Sequence, residues 1–440
     1  MRREGRLAAT IDILDTIVAE AQDDGATVNN VLREYFASRR YAGSGDRRTI
    51  GDGVFQILRQ AVLLGWALEE AEFEVTGRNL VIVEGEWEGR DLPQLFGSGR
   101  YAPPALTDDE RGMIWALPDR DEAPDWAVLN CPRWMAEPLK ARFGEGFAEE
   151  MSAMADRAPF TMRVNSLKAT TDAVEAELRA DEIKFRRSHK TPGAIHAATK
   201  RIKDTQIYQQ GWVEIQDSSS QIASYLTCVE PHHRVLDLCA GAGGKSLAMA
   251  ALMENRGEIH ACDIYEYKNK ELKMRAQRAG VDIIQPLVFP KNVPGVRDIF
   301  MQAMANSMDR VVIDAPCSGS GTWRRAPELR LRMTENRVKG LLDIQKELLD
   351  EGVGCVKADG WLIYMTCSLL PQENEHQISA FLERHPGWEV VDYRLAWGRS
   401  KIPSGPRVSR SMLPGCLQLT PKSHGTDGFF VAILKPPAGH

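Results

Sequence analysis

The architecture of this chain is set by residues 234–263, which read RVLDLCAGAGGKSLAMAALMENRGEIHACD. They contain a short apolar strand, VLDL (235–238), a turn of small residues, CAGAGGKS (239–246), a helical segment, LAMAALM (247–253), and a second strand, EIHACD (258–263). A strand, a helix and a strand in succession predict a parallel pair of strands with the helix packed on one face.

The same alternation continues toward the C-terminus. Four further segments fit it: a charged helix at 268–278, strands VVIDAP (311–316) and WLIYMTCS (361–368), and a long helix at about 340–357. The final strands, CLQLT (416–420) and GFFVAIL (428–434), follow each other without a helix, which indicates an antiparallel pair at one sheet edge. We therefore predict an α/β domain at 211–440 whose mostly parallel sheet is covered on both sides by helices.

The first half of the chain has two other patterns. Apolar residues recur at helical spacing over residues 1–70, whereas residues 85–132 are rich in Pro, Gly and acidic residues. We predict an all-helical domain with a linker at 1–130. A helix and then a strand, FTMRVNSL (160–167), indicate a small α+β subdomain at 131–210.

The bulk composition is typical of a soluble globular protein, with 43% apolar and 26% charged residues in 440. No window approaches an uncharged apolar run of about 18 residues, so no membrane span is expected. The N-terminal segment is interrupted by Asp12, Asp15 and Glu20, which indicates an amphipathic helix and not a signal peptide. The eight cysteines include no CxxC pair and no Cys/His cluster with zinc spacing. We expect a cytoplasmic monomer with reduced thiols and no structural metal.

The net charge of −6 and the pI of about 5.9 speak against a protein coated in nucleic acid. Basic residues nevertheless cluster locally, at Lys184, Arg186, Arg187 and Lys190, at Lys200, Arg201 and Lys203, and at Arg324, Arg325, Arg330, Arg332, Arg337 and Lys339. Any single cluster is more often a solvated face than a binding site. A specific enzyme can still bind RNA through local basic patches while it is acidic overall.

The turn after the first strand is a candidate nucleotide site. Its small residues let a ligand approach the backbone, and it opens a helix at the carboxyl end of a parallel strand. Asp263 ends the next strand, where a carboxylate can accept hydrogen bonds from ribose hydroxyls. The GGKS segment is not a phosphate-binding P-loop, because Cys239 occupies the position of that motif's first Gly.

Two later strands each end beside a cysteine. Asp314-Ala315-Pro316-Cys317 follows one strand and Thr366-Cys367-Ser368 follows another. A single cysteine is most often a small buried packing residue, and we adopt that interpretation for Cys131, Cys228, Cys262, Cys355 and Cys416. Two thiols and a carboxylate at the same sheet edge are harder to explain by packing.

Several segments together resemble the Sun family of RNA (cytosine-5) methyltransferases, and among them the bacterial enzymes that act on 16S ribosomal RNA. They are RVNSLK (163–168), GWVEIQDSSSQ (211–221), DLCAGAGGKS (237–246), DAPCSGSGTWRRAPE (314–328), YMTCSLLPQENE (364–375) and HGTDGFFVA (424–432). The N-terminal helices, with DRR at 46–48, resemble the NusB-like RNA-binding domain of the same enzymes. The resemblance implies a Rossmann-like S-adenosylmethionine-dependent methyltransferase domain with a seven-stranded sheet.

The resemblance also implies residue roles. Cys367 matches the family's nucleophile, Cys317 the cysteine needed to release the product, and Asp314 the carboxylate at the base. The implied S-adenosylmethionine site consists of Cys239, Ala240, Gly241, Ala242, Gly243, Gly244, Lys245, Asp263 and Asp314. The chemistry needs such a set, since carbon 5 of cytosine becomes nucleophilic only after a thiolate adds to carbon 6. A carboxyl group at ring N3 stabilises the charge that develops, and a second thiol can assist elimination of the first.

Two departures from the family pattern concern the cofactor. Ala242 replaces a usual Pro in the turn, which removes rigidity but no chemical group. Many members have an acidic residue at the end of the third strand to hold the adenine, but here the stretch is VDIIQPLVF (281–289). Asp282 lies at its wrong end, so Gln285 is the nearest polar candidate.

The predicted RNA contacts are Arg163, Asn165, Arg324 and Arg325. For Arg163 and Asn165 the alternative is that they only begin a strand of the small subdomain. Three functions remain open: an rRNA methyltransferase, a methyltransferase acting on tRNA or a non-RNA substrate, and a catalytically silent RNA-binding ribosome-assembly factor. The presence of both motif cysteines favours the first.

Overall fold

The computed structural model describes residues 1–20, 26–198, 201–290, 295–400, 402–403, 405 and 408–437. The chain forms two compact units. We call them the helical unit, which comprises Met1–Asp156 and Thr322–Arg337, and the sheet unit, which comprises Arg157–Gly321 and the residues from Val338 onward. The sheet unit contains both the small and the large sheet, so the division into three domains stays a prediction.

The helical unit is built around apolar helix faces. Its helices are α1 (Arg3–Ala19), α2 (Val28–Ala37), α3 (Ser44–Arg59), α4 (Ala61–Glu70), α5 (Gly77–Trp87), α6 (Leu92–Leu95), α7 (Asp108–Ala116), α8 (Asp125–Val128), α9 (Arg133–Phe143), α10 (Phe147–Ala155) and α17 (Leu329–Arg332). Leu14 and Ile17 in α1, one helical turn apart, are fully buried in its core. Thr107 begins α7 with a capping box, since its hydroxyl accepts from the backbone N–H of Glu110 and the Glu110 carboxylate accepts from that of Thr107. An all-helical N-terminal region agrees with the sequence prediction.

The small sheet of the sheet unit is antiparallel. Its elements are β1 (Phe160–Val164), α11 (Thr171–Ala180), β2 (Phe185–Arg187), β3 (Ala194–Ala197), α12 (Gln206–Gln209) and β4 (Val213–Ile215). The strand order is β2-β3-β1-β4, and Met162 of β1 stands opposite Ile195 on one side and Ile215 on the other. The strand predicted within residues 160–167 is therefore β1, which lies between β3 and β4.

The large sheet alternates strands with helices along the chain. Its elements are α13 (Ser218–Leu226), β5 (Arg234–Asp237), α14 (Gly244–Leu252), β6 (Glu258–Asp263), α15 (Glu266–Ala279), β7 (Ile284–Val288), α16 (Val296–Ala303), β8 (Met308–Asp314), α18 (Glu335–Val353), β9 (Val356–Thr366), α19 (Glu375–Arg384), β10 (Glu389–Val391), α20 (Tyr393–Arg399), β11 (Leu417–Leu419), α21 (Pro421–His424) and β12 (Phe429–Lys435). The sheet order is β10-β12-β9-β8-β5-β6-β7, with β11 paired to β12 outside this path.

Five of these strands, from β7 across to β9, are parallel neighbours, and β12 is antiparallel to β9. Their apolar residues are buried on both faces, for example Leu236 and Val235 in β5. The predicted α/β class with a mostly parallel sheet is confirmed. In the described residues, no helix is both long and apolar enough to cross a bilayer.

The C-terminal strands form the predicted antiparallel pair at one edge of the sheet. β11 and β12 are antiparallel, with Leu417 opposite Val431, as the sequence indicated. Within this edge, β12 pairs with β9 on one side and with β10 and β11 on the other. The additional edge strand β10 has only three residues, too few to show a periodicity.

Candidate active site

Loops that follow four parallel strands meet at the carboxyl edge of the large sheet. In register, Asp237 of β5 stands beside Ala261 of β6, and Asp314 of β8 stands beside Met365 of β9. The segments after these strands therefore start at one edge, where open α/β sheets bind their ligands.

The glycine-rich loop after β5 needs its glycines at two positions. Gly241 and Gly243 have φ values of +57° and +82°, a region that favours glycine. A Cβ on Gly243 would lie 1.9 Å from Cδ1 of Leu272, whereas one on Gly241 would meet nothing within 4 Å. The loop is therefore packed against α15 at Gly243 and open beside Gly241.

Asp263 lies beside this open part of the loop. Its Oδ2 accepts a hydrogen bond of 2.9 Å from the backbone N–H of Gly241, and its Oδ1 accepts one of 2.9 Å from that of Tyr265. The Lys268 ammonium lies 3.8 Å from Oδ2. A carboxylate fixed beside an open glycine loop fits the hydroxyls of a nucleoside cofactor. The loop and Asp263 are thus brought together as the sequence predicted.

Gln285 does not join them. It is exposed, it is the second residue of β7, and it stands beside His260, whereas Asp263 stands beside Val288. At about 3.3 Å per residue, Gln285 lies about 10 Å back from the carboxyl edge. Gln285, the nearest polar candidate for the adenine contact, is therefore not brought to the carboxyl edge, because it lies toward the other end of β7.

A pair of charged side chains connects the glycine loop with β8. The Lys245 ammonium forms an ion pair with the Asp314 carboxylate, and it lies 4.8 Å from the centroid of the Phe429 ring. Lys245 is buried and Asp314 is partly exposed. The ion pair keeps the Asp314 carboxylate at the site edge while solvent or a ligand can still reach it.

The two motif thiols are in contact. Cys317 Sγ lies 3.4 Å from Cys367 Sγ, and both residues are half-buried. Backbone hydrogen bonds hold their loops together, from Ala315 N–H to Met365 O at 2.9 Å and from Gly321 N–H to Cys367 O at 2.8 Å. Contact with Cys367 and burial hold the pKa of the Cys317 thiol well above its ordinary value. The two sulfurs therefore stand side by side at the carboxyl edge of the sheet.

The other cysteines occupy interior positions. Cys131, Cys262, Cys355 and Cys416 are buried and Cys228 is half-buried. Burial raises the pKa of the Cys355 thiol to about 11, so it is an unreactive thiol. Among the described residues, no group of three or more His, Cys, Asp and Glu side chains could hold a metal ion.

The sequence prediction missed the polar groups beneath the thiols. Ser318, Ser320 and Ser368 form a buried cluster with the Glu373 carboxylate. The signal that could have revealed it is a serine directly after each motif cysteine and a glutamate five residues after Ser368.

Arg163 and Asn165 lie inside the protein and not at a surface for RNA. Arg163 is 6% exposed, and its Nε donates a 2.8 Å hydrogen bond to Gln216. Asn165 is 2% exposed, and its amide donates to the backbone oxygens of Gly211 and Ala279. Both side chains are used for internal hydrogen bonds, which favours the structural alternative over RNA contact.

The basic cluster at 324–339 is also partly internal. Arg324 and Arg325 are half-buried and belong to the helical unit, whereas both thiols belong to the sheet unit. Arg330 is 3% exposed, and its guanidinium lies 4.7 Å from the Trp323 ring centroid and donates to Met154 O. Buried Arg332 donates to Ala26 O. Arg330 and Arg332 are thus structural, and an RNA role for Arg324 and Arg325 stays a prediction. Lys200 lies outside the described residues.

The sheet order, the glycine loop after β5 and the acidic end of β6 define the Rossmann-like fold of S-adenosylmethionine-dependent methyltransferases. Two family models match the chain: 16S rRNA methyltransferase RsmB/F over residues 224–435, and the ferredoxin-like domain of RsmF/B-like methyltransferases over residues 131–201. The chain belongs to this RsmB/F methyltransferase family.

Individual proteins agree with the family models. The "probable ribosomal RNA small subunit methyltransferase B" of Synechocystis is 32% identical over 307 residues, which cover 69% of this chain and 66% of that protein. The crystal structure of PH0851 is 25% identical, with a TM-score of 0.74 over 97% of this chain and 98% of that one. A methyltransferase homologue from Pyrococcus horikoshii, also 25% identical, has a TM-score of 0.59 over 71% of this chain and 97% of that one.

Proposed function

We propose that this protein methylates carbon 5 of a cytosine in ribosomal RNA, with S-adenosylmethionine as the methyl donor and through a covalent cysteine adduct. The observation on which the proposal rests is the 3.4 Å contact between the Cys317 and Cys367 sulfurs at the carboxyl edge of the sheet. Methylation of an oxygen or nitrogen atom needs no such pair of thiols. Temporary activation of a weakly nucleophilic ring carbon uses one thiol to add to the ring and a second thiol to assist its release.

The glycine loop and Asp263 are the groups that would hold the cofactor. Asp263 would accept hydrogen bonds from the ribose, and the open face of Gly241 leaves room for a ligand beside the backbone. When bound, S-adenosylmethionine supplies an electrophilic methyl group.

Cys367 is the proposed nucleophile. Its sulfur forms a bond to carbon 6 of the cytosine, the electron pair of the C5–C6 double bond shifts toward carbon 5 and ring N3, and N3 takes up the proton that the thiol releases. Asp314, held by Lys245, can accept a hydrogen bond from protonated N3 and so stabilise this state. The role of Cys367 rests on the family's downstream Thr-Cys-Ser motif.

Cys317 is the proposed release residue. After carbon 5 has been methylated, its proton leaves to a base, the bond between carbon 6 and Cys367 breaks, and the C5–C6 double bond returns. The leaving sulfur then needs a proton or a proton-bearing neighbour. The Cys317 thiol, protonated at neutral pH because its pKa is raised, lies next to it.

The choice of ribosomal RNA follows from the relatives' names and from local charge. The chain spans about two thirds of the length of its Synechocystis relative, which is named for the small ribosomal subunit RNA. Lys184 and Arg186 are exposed in the sheet unit and are suited to phosphate contacts. The target base would be unpaired or flipped out, since carbon 6 of a stacked cytosine cannot be reached.

The proposal is tested by incubating the protein with S-adenosylmethionine carrying a labelled methyl group and with rRNA from cells lacking the enzyme. The RNA is digested to nucleosides and separated by liquid chromatography with mass spectrometry. We expect label in 5-methylcytidine alone. Label in another nucleoside, in tRNA only, or in protein would contradict the proposed substrate, and no label at all would favour a silent RNA-binding factor.

A further inference from the structure

Each motif cysteine is followed by a serine, and both serines donate to one carboxylate. The hydroxyl of Ser318, next to Cys317, donates a 2.5 Å hydrogen bond to Glu373 Oε2. The hydroxyl of Ser368, next to Cys367, donates to the same oxygen. The backbone N–H of Ser318 donates to the other oxygen, Oε1, at 2.7 Å. One side chain therefore connects the two loops that bear the thiols.

Further donors complete the environment of this carboxylate. The Gln345 amide donates to Glu373 Oε1 at 3.1 Å and to Pro316 O at 2.9 Å. Ser320 Oγ lies 3.2 Å from Ser318 Oγ and accepts from the backbone N–H of Leu369 at 2.8 Å. Each carboxylate oxygen thus accepts two hydrogen bonds, as many as its geometry readily allows.

Such a carboxylate is costly to bury. Glu373 has no solvent exposure, and no Lys, Arg or His is among these hydrogen-bond partners. Burial raises the pKa of Glu373, whereas the donors from Ser318, Ser368 and Gln345 act in the opposite direction. Apolar side chains would fill this space at lower cost, so a carboxylate here indicates a need for fixed geometry.

We propose that Glu373 is a positioning residue for methyl transfer, which clamps the serines after Cys317 and Cys367 and so fixes the two sulfurs side by side. The effect on methyl transfer that this inference predicts rests on the proposed function. The placement of the two sulfurs by Glu373 does not, since the separation of the thiols can be measured without RNA or cofactor.

The test compares Glu373→Gln with a matched control, Glu375→Gln. Glu375 is also a buried carboxylate, two residues away, and it accepts from Ser411 Oγ and the Met412 N–H, which lie outside the thiol loops. Diamide oxidises two adjacent thiols to a disulfide and is itself reduced to the hydrazine by taking up the two protons and two electrons. The rate at which a Cys317–Cys367 disulfide forms, read by mass spectrometry of unreduced peptides, reports how well the sulfurs are juxtaposed.

We expect Glu373→Gln to slow this cross-link about 10-fold or more, and to lower kcat by about 10- to 100-fold with little change in KM, because small misplacements of reacting groups have large effects. Glu375→Gln should resemble the wild type in both measurements. If Glu373→Gln does not fold, Ser318→Ala and Ser411→Ala form the equivalent pair. A folded Glu373 or Ser318 variant that cross-links at the control's rate overturns the proposal. If the cross-linking rates of the variants differ as expected but the wild type does not methylate RNA, the result contradicts the proposed function and leaves the positioning role of Glu373 standing.

Discussion

At the scale of single residues, Asp237 is a group whose charge opposes folding. It ends β5 with a side chain that has no solvent exposure, and its Oδ2 accepts a 2.6 Å hydrogen bond from Ser246 Oγ. Its Oδ1 has no hydrogen-bond partner in the described part of the chain. Burial raises the pKa of Asp237 to about 7, and the nearby Asp314 carboxylate adds to the effect.

This pKa gives stability a defined dependence on pH. Between about pH 4 and about pH 7 the folded protein keeps a proton on Asp237 that the unfolded chain has released. The contribution of Asp237 to stability is therefore fully present below about pH 4 and is lost as the pH rises through about 7.

Asp237→Asn should remove this dependence, since an amide does not ionise and can still accept from Ser246. Relative to the wild type, the variant gains up to about 4 kcal/mol in the free energy of unfolding between about pH 4 and about pH 8. Thermal unfolding of both proteins across this range measures the difference. If the difference in the free energy of unfolding stays constant with pH, or changes in favour of the wild type, the raised pKa of Asp237 is contradicted.

At the scale of elements, the loop between β5 and α14 depends on one glycine more than on its neighbour. Gly243 is the N-cap residue of α14, has a positive φ and lies directly against Leu272, whereas a Cβ on Gly244 would have Gln216 Nε2 as its nearest neighbour at 3.9 Å.

Gly243→Ala should therefore destabilise the sheet unit by about 2–4 kcal/mol, through the positive φ and the clash with Leu272. Gly244→Ala, the matched control within the same loop, should change stability by less than about 1 kcal/mol. Urea unfolding followed by the fluorescence of the tryptophans measures both. Equal effects of the two substitutions would contradict the close packing of Gly243 against Leu272 of α15.

The elements that sequence predicted well are those with long or sharply bounded apolar runs. β6 coincides with the predicted segment EIHACD, and β5 and β8 are displaced by only a few residues, because buried parallel strands read as short apolar runs between polar turns. β10 was not predicted, since its three residues become a strand only through pairing with β12.

The site was predictable where chain order decides position. Asp263 and Asp314 end core strands, Cys317 and Cys367 follow such strands, and parallel strands bring their carboxyl ends to one edge. Gln285 became a candidate because the sequence does not fix where β7 begins and ends, and these bounds decide at which end of the strand the residue lies. The burial of Arg163 could not be predicted from its residue type, because its hydrogen-bond partner Gln216 lies far away in the chain.

At the scale of the whole molecule, an acidic protein must use local charge to bind RNA. The net charge is −6, and the cluster at 324–339 has two of its arginines, Arg330 and Arg332, buried. The cluster at 184–190 remains at the surface, although Arg187 is paired with Asp172 and Glu175. The exposed Lys184 and Arg186 are therefore the better candidates for phosphate contacts.

Replacing Lys184 and Arg186 together by Gln should weaken binding to all RNA sequences alike. The slope of log affinity against log salt concentration should decrease by about 0.7–0.9 for each RNA phosphate that the variant no longer neutralises. Lys346→Gln, which removes an exposed lysine paired with Asp350 outside these clusters, should leave the slope unchanged. Filter-binding titrations at several salt concentrations provide the slopes, and a slope unaffected by the double substitution excludes these residues as phosphate ligands.

The proposed covalent role of Cys367 is tested most directly by denaturing gel electrophoresis of Cys317→Ala and Cys367→Ala after incubation with cytosine-containing rRNA and S-adenosylmethionine. Because Cys317→Ala retains the proposed nucleophile and lacks the release thiol, it should accumulate a slowly migrating RNA-linked band, and Cys367→Ala should form none. A band with Cys367→Ala alone would reverse the two roles. Full methyl transfer by either variant, without any linked band, would contradict the covalent mechanism.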